Sequence, residues 1–215
     1  MIPKTFITIA VFCLFAALCS SSYLYGDETH DLGPREAVIL AEFPHDAPLF
    51  QADVRPYVDK IIQRHGLEEW KACLLTNELH RHLGTYSIVG AKMGLRAREI
   101  LEAPFDTLQV ITLAGNKPPL SCLNDGIQVS TGASVGRGAI TVAHTAEPTA
   151  MFLYKKQKLT LKIKQEVVDK IEGQIKEATA KFGYMTDPYQ AHIRKLSLDS
   201  WLEMDRKSIF VEIRE

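Results

Sequence analysis

The sequence is short of almost everything that marks a specialised polymer. Four cysteines in 215 residues are too few for a disulfide-dense scaffold, and 13 glycines and 10 prolines exclude a collagen. Neither sign of charge is in surplus, with 25 Lys+Arg against 26 Asp+Glu. Without a basic excess nothing neutralises a phosphate backbone, so nucleic acid is not an expected partner. Internal repeats, low-complexity tracts and a second composition block are all missing. What remains is ordinary: 46% hydrophobic and 24% charged residues, the balance of one globular domain rather than a disordered chain.

Long apolar runs are missing too, with one exception. Phe6 to Leu18 is apolar save for Thr8, and Lys4 precedes it. Roughly a dozen apolar residues cannot cross a bilayer of about 30 Å as a helix, but they suit the core of an export signal. Residues 1–26 are therefore expected to be a signal peptide, cut between Ser20 and Gly26, and the mature protein to be periplasmic and free of the membrane. A lipid anchor at Cys19 is the alternative, although bulky Leu18 departs from the small residue such sites require. Cutting leaves only Cys73 and Cys122.

Residues 27–53, rich in Pro, Asp, Glu and His, form an expected N-terminal arm with one apolar patch, Ala37 to Leu40. The domain proper is expected over 54–215. Pro56 opens a helix at a position where its missing N–H costs nothing, and Gly66 stops it. Glu68 to Leu79 keeps the helical period through Trp70, Cys73, Leu74 and Leu79. Thr85 to Leu101 is a longer helix, with Ile88, Val89, Met93 and Ala97 inward and Lys92, Arg96, Arg98 and Glu99 opposite. Gly90, Ala91 and Gly94 within it imply a neighbour packed against the backbone. Asn124 or Asp125 should cap a short helix that closes at Gly132. Strands are expected at Thr107–Ala114, Ala139–Ala143 (buried), Thr149–Tyr154, Lys158–Ile163 and Ile209–Ile213. A helix is expected at Gln165–Phe182, and a terminal helix or pair of turns from Pro188 to Met204. The fold class is α+β, a single domain with a mixed sheet flanked by helices.

Two segments carry chemistry. One is His80-Arg81-His82, between two helical patterns. Residues two apart on a helix diverge by about 200°, so the pair can share an ion only if the helix has ended by His80. The other is Cys122 at the entrance of the short helix, where the dipole and free N–H groups should lower its pKa. Two imidazoles and a thiolate suit zinc, and also iron, nickel or copper. Against this, surface histidines are common, and a lone cysteine is usually a small hydrophobe, as Cys73 on its apolar helix face must be. Asp125 either orients a histidine, caps its helix, or serves as a general base. Lys92, Lys117 and Arg137 are candidates to attract an anionic ligand, or plain surface charges. His144 is a fourth-ligand candidate or a structural residue. Gly132, Gly136 and Gly138 fit turns as well as an anion cradle.

The order of these pieces resembles the FmdE family, named for a component of formylmethanofuran dehydrogenase. The matching elements are His80-Arg81-His82-Leu83, Lys92-Met93-Gly94, Cys122-x-x-Asp125-Gly126-Ile127-Gln128 and Thr131-Gly132-x-x-x-Gly136-x-Gly138, followed by Ala139–Val142 and Phe152-Leu153-Tyr154-Lys155. The resemblance implies an α+β fold, a homodimer, a bound divalent metal and a link to a molybdenum or tungsten redox enzyme as partner. The chain departs from the pattern where Gly84 and Ala133 replace common cysteines. It also has no C-terminal cysteine cluster for the zinc finger of longer members, and it carries the expected export signal. His80, His82 and Cys122 survive as metal ligands, a set that leaves one tetrahedral position open. Three functions follow. The first is a metal-binding accessory that handles redox or cofactor chemistry. The second is a small metal-dependent hydrolase or lyase using Asp125. The third is a metal-free binding protein whose Cys73 and Cys122 are free or joined.

Overall fold

Pro56 and Gly66 bracket the first helix of the domain as their chemistry requires. In the computed structural model, which describes residue 40 and residues 42–215, a short turn at Arg55–Tyr57 leads into α1 (Val58–His65), and Gly66 ends it at φ 87. The remaining helices are α2 (Leu67–His80), α3 (Thr85–Leu101), α4 (Leu123–Thr131), α5 (Gln165–Phe182) and α6 (Asp187–Glu203). The strands are β1 (Gln109–Thr112), β2 (Ile140–Val142), β3 (Thr149–Tyr154), β4 (Gln157–Ile163) and β5 (Phe210–Arg214). All belong to one compact unit. The expected signal peptide, and the apolar patch of the arm apart from Leu40, lie outside the described residues.

The strands form one mixed sheet in the order β2-β1-β3-β4-β5. β1 and β2 run parallel, because α4 crosses between them, and the other pairs are antiparallel. β2 was expected to be buried, but it is an edge strand with Thr141 exposed to solvent. β4 shows the two-residue period: Leu159, Leu161 and Ile163 are fully buried, while Lys158, Thr160 and Lys162 alternate with them.

α3 is the axis of the fold, buried along almost its whole length. One side packs with the sheet, α4 and α5 in a cluster that includes Val89, Met93, Ile127, Phe152, Leu161 and Ile171. The other side packs with α1, α2 and α6 around Trp70, Ile61, Ile88, Leu198 and Trp201. A helix covered on both sides keeps solvent only near its C-terminal end, where Arg96 and Arg98 stay partly exposed and Glu99 exposed. Lys92, expected on the same polar face, is instead fully buried.

The glycines of α3 do what their placement implied. A Cβ on Gly90 would collide with the backbone of Leu123, one on Gly94 with the Ser130 side chain, and one on Gly126 with the backbone of Ser87 and Gly90. α3 and α4 therefore cross backbone to backbone. This contact holds the first turn of α4 against the helical layer, where α2 ends.

Candidate metal centre

α2 ends at His80, and Arg81 turns the chain into the left-handed region at φ 65. The condition for the two histidines to act together is met: their rings lie 4.2 Å apart between centroids. Asn77, one turn earlier on α2, fixes the turn. Its Oδ1 accepts from the Gly84 N–H (3.2 Å) and the Ser87 hydroxyl (2.9 Å), and its Nδ2 donates to the Cys73 carbonyl (2.7 Å). Nothing in the reading of the sequence singled out Asn77, although an asparagine in the last turn of a helix commonly bonds to nearby backbone.

From the other side, the first turn of α4 delivers Cys122 and Asp125. Neither Asn124 nor Asp125 caps that helix. Cys122 occupies the cap position without a side-chain hydrogen bond. Asn124 reaches back to the sheet instead, accepting from the Thr112 hydroxyl at 2.5 Å and donating to the Gly115 carbonyl at 2.8 Å. Asp125 faces α2, and its Oδ2 accepts from His80 Nδ1 at 2.6 Å.

That bond defines the chemistry of His80. A carboxylate only accepts, so Nδ1 carries a ring proton, and in the neutral ring the lone pair lies on Nε2. Nε2 is buried and has no hydrogen-bond partner. The carboxylate–imidazole pair with its far nitrogen free is the arrangement that metal-ligating histidines adopt. His82, more exposed, is held below the usual histidine value by desolvation and then by the nearby His80, which keeps it neutral.

Cys122 behaves opposite to its expectation. Burial is the dominant effect and pushes the thiol up to about 11, with the Asp125 charge adding to it and the backbone N–H opposing it too weakly. The helix-terminus effect operates at exposed sites, and this thiol is only 9% exposed. Cys73 is pushed well above its ordinary value by complete burial. Both thiols are free, so no disulfide joins them. Among the described residues, no group of three or more His, Cys, Asp or Glu side chains is gathered tightly enough to hold an ion. The residue that links the candidates is Asp125, which bonds His80 and acts electrostatically on both His82 and Cys122. A Cβ at Gly84 would lie 3.3 Å from His82 Nε2, so the glycine keeps open space beside that ring.

The other expected residues lie elsewhere. Lys92 donates to the Glu69 carboxylate and to the carbonyls of Trp201 (3.2 Å) and Met204 (2.8 Å), so its charge is answered inside the core and is not offered to a ligand. Arg137 pairs with Asp106 and donates to the Gly132 and Asp106 carbonyls, bracing the turn after α4. Lys117 is exposed on the turn before Cys122, and His144 follows β2 at the sheet edge.

No curated protein matches the chain. A family model does: FmdE, described as molybdenum formylmethanofuran dehydrogenase operon, matches residues 79–210. That span takes in the two histidines, the whole of α3 and α4, the sheet as far as the start of β5, and every candidate ligand. Covering well over half of the chain, it makes this protein a member of the FmdE family.

Proposed function

We propose that the protein is an exported metal-binding member of the FmdE family in which His80, His82 and Cys122 hold one divalent ion, zinc before iron or nickel. The observation that carries this reading is His80, whose Nδ1 proton is held by Asp125 while Nε2 is buried and unpartnered. Desolvation keeps His82 neutral and able to donate its own lone pair. Cys122 is the side chain that must lose a proton, and a cation beside it is what would draw a thiol of about 11 down into the neutral range. A divalent ion held there supplies a Lewis-acidic centre with one coordination position left for a partner molecule. Asp125 positions His80 and holds its proton, which leaves it poorly placed to take a proton from water as the hydrolase reading would need.

The family's relation to formylmethanofuran dehydrogenase supports an accessory role. The protein would handle a redox cofactor or its precursor for a molybdenum or tungsten enzyme, with the ion as anchor rather than as electron carrier. Export rests on Lys4 and the apolar run from Phe6 to Leu18, and among the described residues no helix is long and apolar enough to cross a membrane. A homodimer would use the face of the sheet turned away from the helices, where Val211 and Ile213 on β5 are exposed. Metal analysis of the purified full-length chain tests the reading. One ion per chain is expected, lost in His82→Ala and Cys122→Ala, and a metal content no higher in the wild type than in these variants would overturn it.

A further inference from the structure

The segment 49–54, α2 and α6 leave a groove of about 340 Å³ between them, and His82 stands in its wall. Its inner surface is aromatic. Trp70 and Trp201 stack at 5.0 Å with 14° between their planes, and Phe50 meets Trp70 edge-on. Two unpartnered donors of the lining bear on what it could hold. Trp201 is 2% exposed, and its buried indole Nε1 finds no acceptor. Arg81 makes no hydrogen bond or ion pair among the described residues. The second cation of the groove differs: Arg194 is held by both oxygens of Asp53 and also senses the charge of Glu78. Arg81 is thus the lining cation with no carboxylate on it. Its backbone sits at φ 65, where glycine or asparagine would be easier, so local conformation does not explain an arginine there.

We propose that this groove binds a small amphipathic carboxylic acid. The acid's apolar or aromatic body lies along Trp70, Trp201 and Phe50, its carboxylate pairs with the Arg81 fork, and an acceptor atom takes the Trp201 N–H. A guanidinium matches a carboxylate with two parallel hydrogen bonds. A buried donor without an acceptor is costly, and a ligand that supplies one removes that cost. His82 in the same wall sets the bound acid beside the metal site. The proposal rests on the metal reading for the consequence of binding, and not for binding itself.

Trp70 and Trp201 are the only two tryptophans of the chain and both line the groove, so intrinsic fluorescence reports its occupancy. The probe is 4-phenylbutyrate, titrated into the full chain in EDTA and again with zinc, against the neutral 4-phenylbutyramide. A saturable change is expected in both conditions, with the amide weaker by about tenfold, as loss of one charged hydrogen-bonding pair implies. Arg81→Gly suits the left-handed backbone, so it should keep the melting temperature while weakening the acid by a similar factor. Arg81→Lys should keep part of the affinity. No saturable change, equal affinity for acid and amide, or wild-type affinity in Arg81→Gly would each overturn the proposal. Phenylbutyrate binding in a chain that takes no zinc would uphold the groove and remove the metal reading. Zinc uptake without phenylbutyrate binding would do the reverse.

Discussion

Two polar clusters lie at opposite ends of α2, one around Glu69 in its first turn and one around His80 at its last residue, and they resolve differently. In the first, Glu69 is wholly buried, with Lys92 on one carboxylate oxygen and Arg206 on the other, at 2.9 Å. Lys92 completes its bonding on two backbone carbonyls, Arg206 reaches on to Glu99, and His65 closes the rim by bonding the Leu202 carbonyl at 2.8 Å. In the second, Asp125, His80, His82 and Cys122 are only partly enclosed, and one buried nitrogen is left without a partner. The comparison separates architecture from function. A polar group that finishes its bonding inside the protein holds the fold together, whereas one that does not is available to something else.

Breaking the first cluster should have the largest effect. Glu69→Gln leaves the Lys92 ammonium buried without its counter-ion, and removing one partner of such a pair costs about 3–5 kcal/mol. Denaturant unfolding should show that loss, while zinc bound per folded chain stays at the wild-type value. Next comes the crossing that joins the two regions. Gly126→Ala drives a methyl group into the backbone of α3, and overpacking of this kind costs about 1–3 kcal/mol. Because it also moves the turn that carries Asp125, it should weaken metal binding and stability together, which neither cluster's own variants do.

Within the second cluster the effects fall on the metal. Asp125→Asn keeps the shape but loses the charge that fixes the His80 tautomer, and zinc affinity should fall by about 10–100-fold with stability little changed. Zinc binding near neutral pH should release about one proton, because the buried Cys122 thiol must give up its proton to ligate while desolvation already keeps His82 neutral. Calorimetry in two buffers of different ionisation enthalpy reads that number directly.

The smallest effect is acid sensitivity. Burial, with the nearby Lys92 charge, holds His65 below the usual histidine value in the folded chain, and desolvation does the same to the more exposed His82. As pH falls through about 6.5 the unfolded chain takes up protons first. Stability is therefore full above that value and declines below it, with His65 the larger contributor. His65→Gln should flatten the decline more than His82→Gln does, as melting temperatures across that range would show.

The sequence made the elements legible because their signals are local. Pro56, Gly66 and Gly132 punctuate helices through backbone chemistry alone, and the alternation of Lys158 to Ile163 reports one buried face. The residue types of the candidate site were legible for the same reason: a histidine pair at the end of a helix needs only the period of that helix. Properties set by tertiary surroundings were not. Lys92 looked like a surface charge because nothing in its neighbourhood of sequence announces Glu69, 23 residues away, or layers packed on both sides of α3. Cys122 looked activated because a helix terminus is visible in sequence and burial is not. Asn77 and the Trp201 groove depend on contacts from a helix near the opposite end of the chain or on a loop that the helix itself must shape.

The central claim is that the lone pair on His80 Nε2 belongs to a metal. Equilibrium zinc titration of the wild-type chain, His80→Ala and Glu69→Gln side by side tests it most directly. The account requires one ion per chain in the wild type and in folded Glu69→Gln, and none in His80→Ala. Zinc binding by His80→Ala as tight as that of the wild type would contradict it.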